Sequence, residues 1–238
     1  MIDKSAFSHC PLPEFVGTAL CDTIGLVIAN IDDSLRVQMG FDPAYRSVGI
    51  LSSRTGAAGQ LMAVDEAVKS TNTTLLTVQL PRDTKGWGGH GSFIVLGARE
   101  VSDARRAVEL ALALTDRHVG ELYISDAGHL EMQYSARSGA VLSQVFGIPE
   151  GQAFGFSCAS PAAIGLVMAD IAVKAGNVVI TDCRTPDKGT SHSNEVITVF
   201  TGETNAVHSA VLSAREAGLS MLGAMGSVPK SANEPYLK

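Results

Sequence analysis

The stretch Lys85-Gly86-Trp87-Gly88-Gly89-His90-Gly91 carries the spacing G-x-G-x-x-G at Gly86, Gly88 and Gly91. Such glycines cradle a dinucleotide pyrophosphate when they open a helix whose N-terminal amides and dipole face the phosphates. Here the next residues, Phe93-Ile-Val-Leu-Gly, predict a strand. The loop therefore joins two strands, and the cofactor reading fails. His129-Leu-Glu131 has the H-x-E spacing of a zinc deaminase, but no P-C-x-x-C follows it, and no G-x-S-x-G marks a nucleophilic serine. Cys10, Cys21, Cys158 and Cys183 lie far apart without a C-x-x-C, so neither a disulfide framework nor a zinc knuckle is signalled. His90 and His192 read as solvent-facing loop side chains that lack further ligands. These residues predict no catalytic role, no metal and no cofactor.

The elements that position these loops occur twice. Asp65-Glu-Ala-Val-Lys-Ser-Thr-Asn72 is echoed by Asp170-Ile-Ala-Val-Lys-Ala-Gly-Asn177, an offset of 170 − 65 = 105. The same offset puts Pro81 on Pro186, Gly97 on Gly202 and Phe41 on Phe146. We read two homologous domains in tandem, 16–117 and 118–225, with the junction near Asp116 to Glu121. Residues 1–15 form a short N-terminal extension and 226–238 a flexible tail rich in Pro, Ser, Asn and charge.

Each copy reads as an α/β sandwich of helices on an antiparallel or mixed sheet. Ser47-Val-Gly-Ile-Leu-Ser-Ser and Ala153-Phe-Gly-Phe-Ser-Cys-Ala-Ser predict strands, followed by helical patterns from Gln60 and Leu166. Strands from Thr74 and Val178, a polar loop and strands from Phe93 and Val196 come next. A second helix closes each copy. One starts at a cap on Ser102 and aligns Ala104, Val108, Ala111 and Leu112; the other aligns Val207, Ala210, Val211 and Ala214. The residues before Tyr45, and those between Glu121 and Pro149, add a strand pair and a helix to each copy.

Across 238 residues, 45% are apolar and 18% charged, which suits a chain that buries surface in an oligomer. The net charge of −6, without runs of Lys or Arg, argues against nucleic acid. The N-terminus has no apolar signal core and no run approaches a membrane span, so a cytoplasmic location with reduced thiols is expected.

The phrase Met168-Ala-Asp-Ile-Ala-Val-Lys-Ala-Gly-Asn-Val178 and its partner Met62 to Thr73, each followed by a strand, loop, strand and Ala-rich helix, resemble the bacterial microcompartment shell (BMC) domain. Two copies with extra leading structure resemble the circularly permuted tandem shell proteins. Thr23-Ile-Gly-Leu-Val-Ile-Ala-Asn, Arg46-Ser-Val-Gly-Ile-Leu-Ser, the Gly-rich loop from Pro81 and Ser191-His-Ser-Asn-Glu-Val are similar to the propanediol-utilisation PduB family.

The resemblance implies two ferredoxin-like BMC domains, a homotrimer that mimics a hexamer, and a shell tile with no enzymatic activity. Other shell proteins and encapsulated enzymes would be its partners, and a diol, glycerol or aldehyde would pass its pores. It assigns pore-loop positions to Asp83, Lys85, Gly86, Trp87, Gly88, Gly89, His90 and Gly91, and to Asp187, Lys188, Thr190, Ser191, His192, Ser193, Asn194 and Glu195. The acids Asp83, Asp187 and Glu195 would favour neutral or cationic polar solutes. Lys69 with Asn72, and Lys174 with Asn177, would sit at tile edges. Some shell relatives hold an iron–sulfur cluster through a pore-loop cysteine; Cys183 is the near candidate here, and its strand-end position reads instead as a buried structural thiol. The competing class is a soluble trimeric ligand-binding or regulatory protein of ferredoxin-like fold.

Overall fold

The computed structural model describes residues 10–83 and 89–238. The first copy runs β1 (Phe15–Ala19), β2 (Thr23–Ile28), α1 (Asp33–Met39), β3 (Ser47–Ser53), α2 (Ala58–Lys69), β4 (Thr73–Gln79), β5 (Ser92–Ala98) and α3 (Val101–His118). After a 3-10 turn at Val119–Glu121 the second copy repeats it: β6 (Leu122–Ser125), β7 (Gly128–Ser135), α4 (Ala140–Phe146), β8 (Phe154–Ser160), α5 (Ala162–Ala175), β9 (Val178–Arg184), β10 (Val196–Gly202), α6 (Thr204–Gly223) and a short β11 (Lys230–Ser231). The sheets have the orders β1-β2-β3-β5-β4 and β11-β6-β7-β8-β10-β9, and every pairing is antiparallel.

The strand registers show how the copies correspond. In both, the β-bulge before the loop strand falls at one place: between Leu75↔Leu96 and Thr77↔Val95 in the first, and between Ile180↔Phe200 and Asp182↔Val199 in the second. Hence β4 maps to β9 with offset 105 and β5 to β10 with 199 − 95 = 104. Val95 pairs with Ile50 and Val199 with Phe156, so β3 maps to β8 with 156 − 50 = 106. Ile50 pairs with Leu26 and Phe156 with Gln133, so β2 maps to β7 with 133 − 26 = 107. The helices α1 and α4 share that offset, since both end on a left-handed glycine, Gly40 and Gly147. The constant 105 therefore holds only in the middle of the repeat. Phe41 matches Ile148 rather than Phe146, and Gly97 matches Thr201 rather than Gly202, because single residues have been gained or lost in the connections.

Alternation along the strands gives each sheet two faces. In the second copy Leu130, Met132 and Phe200 pack on α5 and α6 with Met168, Val207 and Val211. The opposite face, with Phe154, Phe156, Cys158, Ile197 and Val199, joins Leu142 and Phe146 of α4 and Leu61, Met62 and Val64 of α2 in one core shared by both copies. Backbone capping also crosses that seam. The Asp65 carboxylate accepts N–H bonds from Gly139 (2.9 Å), Val141 (3.1 Å) and Leu142 (3.2 Å) at the start of α4.

Two local expectations change. The α3 helix begins two residues early, with Glu100 at the N-cap making no side-chain bond and Ser102 inside the first turn. The last stretch is docked rather than loose. β11 pairs with β6, and the buried Glu121 carboxylate accepts the Leu237 N–H (2.7 Å) and pairs with Arg215 (3.2 Å). A buried carboxylate needs such donors, and the tail supplies one.

Candidate functional site

At the seam, five side chains from four separate stretches of the sequence converge. His129 and Glu131 alternate on β7 and so share its seam-facing side; Cys158 stands opposite Glu131 on β8. Glu195 immediately precedes β10, and His90 reaches them from the first copy, held by a bridge between its backbone and Arg82. All five are at most 4% exposed. His90 Nδ1 lies 2.9 Å from Glu195 Oε1, and His90 Nε2 lies 3.4 Å from Glu131 Oε2 without hydrogen-bond geometry. His129 Nε2 and Cys158 Sγ lie 3.4 Å and 3.6 Å from Glu195 Oε2, and 3.8 Å from each other.

Glu131 also caps a helix across the seam. Its Oε1 accepts N–H bonds from Ala57 (3.2 Å), Ala58 (2.9 Å) and Gly59 (3.3 Å) at the start of α2. The helix dipole and these donors favour its charged form.

Burial works against every charge here, yet the partners win. Burial alone would lower His90, but the charge and hydrogen bond of Glu195, together with the Glu131 carboxylate 3.4 Å away, raise it to about 10. Burial would raise Glu195; the His90 charge and bonds from His129 and His90 hold it down to about 2. Glu131 is lowered despite burial, by the adjacent His90 and by the Ala57 N–H. Cys158 has no such help: burial and then the charges of Glu195 and Glu131 push its thiol well above the usual range. The arrangement is a sealed charge network, suited to holding an imidazolium or a cation and unsuited to a solvent-fed general base.

The other sequence-derived positions divide clearly. Lys85, Gly86, Trp87 and Gly88 lie outside the described residues. Asp83 is paired with Arg54 by two bonds (3.0 and 2.9 Å). Gly89 packs on the His129 ring, where a Cβ would come within 2.7 Å of Cε1, and a Cβ on Gly91 would come within 2.2 Å of the Ser53 carbonyl. In the second loop Asp187, Lys188, Ser191, His192 and Asn194 are exposed, while Thr190, Ser193 and Glu195 are buried. His90 and Glu195, read as loop groups facing solvent, are inside the protein because each finds its counter-charge there. Ser191 and His192 adopt left-handed backbone, and Asn194 Oδ1 accepts the Ala162 N–H (3.2 Å) at the start of α5.

Lys69 bonds Asp65 (2.7 Å) and lies 3.4 Å from the Arg137 carbonyl, within the seam region. Asn72 Nδ2 is 3.5 Å from Asp103. Lys174 pairs only with the exposed Asp170 of its own helix (2.6 Å) among the described contacts, and Asn177 is exposed. Cys183 is half-exposed, so the buried structural thiol is Cys158 and not Cys183. Sequence reading missed the joining of His129, Glu131 and Cys158 to His90 and Glu195. The signal was present in part, since H-x-E on a strand places both groups on one face.

Comparison with known proteins places this geometry. The BMC-domain model matches residues 47–127 and 153–230. A microcompartment shell protein PduB from Citrobacter freundii is 51% identical over 237 residues, covering all of this chain and 86% of that protein. PduB of Limosilactobacillus reuteri is 43% identical over 97% of this chain. Among solved structures, EtuB from Clostridium kluyveri superposes with a TM-score of 0.92 at 50% identity, over 95% of this chain and 100% of that one. A trimeric shell protein PduB superposes with a TM-score of 0.91 at 43% identity, over 94% and 100%. The chain belongs to the BMC-domain family of bacterial microcompartment shell proteins, with two copies of the domain in tandem.

Proposed function

We propose that this chain is a structural tile of a microcompartment shell: three chains form a pseudohexamer, the pseudohexamers pack edge to edge with other shell proteins around encapsulated enzymes, and small polar metabolites pass between. The observation that carries this reading is a mismatch between equivalent residues. Leu61 and Met62 of α2 are buried in the shared core, whereas their equivalents at offset 105, Leu166 and Val167 of α5, are 61% and 44% exposed. Leu142 and Phe146 of α4 are buried against α2, whereas Leu35 and Met39 of α1, at offset 107, are exposed. A neighbouring chain that laid its α1 on α5 would repeat the internal seam, and three such contacts close a ring.

Lys174 with Asn177 is the outward edge group of this reading, and Lys69 with Asn72 its inner counterpart, already engaged with its own chain. Passage of a diol, glycerol or aldehyde is assigned to the exposed loop groups Asp187, Lys188 and His192 and to the half-buried Asp83 held by Arg54, because Glu195 is sealed. No helix among the described residues is long and apolar enough to cross a membrane, which agrees with a place in a protein shell within the cytoplasm.

Negative-stain electron microscopy at rising protein concentration tests the tile. Flat hexagonal sheets that are lost in Lys174→Ala support both assembly and the edge. Discrete particles at every concentration would overturn the tile reading, and sheets unchanged in Lys174→Ala would remove the edge role.

A further inference from the structure

We propose that the seam cluster is a metal site: His129 Nε2, Cys158 Sγ, Glu195 Oε2 and His90 Nδ1 would bind a divalent transition ion of the zinc class, one in each chain. The ligand atoms of these four residues lie within 4.8 Å of one another. The inner three form a triangle with edges of 3.4, 3.6 and 3.8 Å. A tetrahedral ion with bonds of about 2.0–2.3 Å to N, O and S has edges of roughly 3.3–3.8 Å, so the triangle needs almost no movement. His90 Nδ1 stands 2.9 Å from the other oxygen of Glu195 and would supply the fourth corner by moving toward the triangle, within whose donor group no two ligand atoms are more than 4.8 Å apart.

The donor set fits the ion. One thiolate, two imidazoles and one carboxylate suit zinc and its cobalt stand-in rather than magnesium or calcium, which favour all-oxygen shells. The shell around the donors fits too. With Nδ1 on the metal, the His90 proton sits on Nε2, a buried nitrogen otherwise without a hydrogen-bond partner, facing Glu131 Oε2 at 3.4 Å. Glu131 is itself pinned by the α2 amides, which makes a carboxylate–histidine–metal relay of the kind that orients ligands. Gly89, packed on the His129 ring, fixes that ring's plane.

The charges balance. Without metal the pocket holds an imidazolium at His90, a thiol at Cys158 and two carboxylates. A dication enters as the His90 and Cys158 protons leave, so two protons exchange for two positive charges and the net charge of the buried cluster does not change.

The repeat isolates the site. Applying the structural offsets, the first copy has Asp22 for His129, Ile24 for Glu131, Ser52 for Cys158 and Gly91 for Glu195. The donor set therefore exists at the seam within each chain and is not reproduced on the first copy. A metal there ties His90, at the end of the Gly-rich loop, to the second copy's sheet.

The test uses the full chain, stripped with a chelator and titrated with cobalt(II). We expect saturation at one equivalent per chain, tetrahedral d–d absorption and a thiolate-to-cobalt charge-transfer band, with zinc displacing cobalt and raising the melting temperature. Cys158→Ser should lose the charge-transfer band, Cys183→Ser should keep it, and Glu131→Gln should weaken affinity by about 10–100-fold. His129→Asn is the second ligand variant should Cys158→Ser fail to fold, and it should abolish the stoichiometric tetrahedral spectrum. Absence of a thiolate band with the folded natural chain overturns the site, as does an unchanged band in folded Cys158→Ser or His129→Asn. Because the readout is metal content and spectrum, it stands or fails separately from sheet formation.

Discussion

The seam inside the chain and the surfaces that repeat it outside are built from the same sequence phrase with opposite fates. Inside, α2 lies under α4: Leu61, Met62, Leu142 and Phe146 are buried, Asp65 caps α4, and Glu131 caps α2. Outside, Leu166, Val167, Leu35 and Met39 are open to solvent, and Ile24, the counterpart of Glu131, is exposed as well. Asp170 stays with Lys174, and α1 caps itself, with Asp32 accepting the Ser34 N–H (2.9 Å). The difference teaches that covalent tandem fusion lets one seam hold buried charge, while the other keeps apolar, self-capped surfaces that survive alone until a second chain arrives. Buried ions need partners that are always present, and only the intrachain seam guarantees them.

Glu131→Ala strikes that contrast hardest. It leaves His90 short of a counter-charge and three α2 amides uncapped, and should cost about 3–5 kcal/mol of chain stability in denaturant melts. Leu61→Ala should cost about 2–5 kcal/mol in the same assay. Its equivalent Leu166→Ala should leave single-chain stability within about 0.5 kcal/mol and act only on association, read by sedimentation. Equal losses of chain stability in the two leucine variants would contradict the contrast.

The pH dependence of the metal-free chain sharpens it further. Glu195 is lowered from 4.5 to about 2, so its contribution is present above pH 4.5 and lost as pH falls toward 2. His90 is raised from 6.5 to about 10, so its contribution is complete below pH 6.5 and fades as pH rises toward 10. Denaturation of the chelated protein should thus show falling stability between about pH 6.5 and 10, with the slope much reduced in Glu195→Gln. The smallest effects separate two aspartates: Asp65→Ala should cost about 1–2 kcal/mol through the lost α4 cap, and Asp170→Ala, which loses only an exposed i,i+4 pair, less than about 0.5 kcal/mol.

Much of this architecture was readable from residues. The phrase at Asp65 and Asp170 revealed the duplication, and the apolar stripes of α3 and α6 appear buried as their spacing implied. The sliding correspondence was not readable, because insertions of one residue in loops leave no mark until strand registers are compared; that is why Phe41 and Gly97 were mismatched. The candidate site was half legible. His90 and Glu195 stood out as loop residues, but their burial depends on counter-charges brought from β7 and β8, a long-range pairing that no local pattern encodes. Cys158 lay in an apolar run and resembled any core thiol. The C-terminal tail read as loose from its Pro, Ser and Asn content, whereas the buried Glu121 and Arg215 give it a dock.

The most direct test of the central claim is the mass in solution by light scattering, measured on the natural chain and on Leu166→Asp. The account predicts a trimer for the first and a folded monomer for the second, since a charge on α5 would be buried without a partner at the chain-to-chain seam. A monomeric natural chain, or a trimer unaffected by Leu166→Asp, would contradict it.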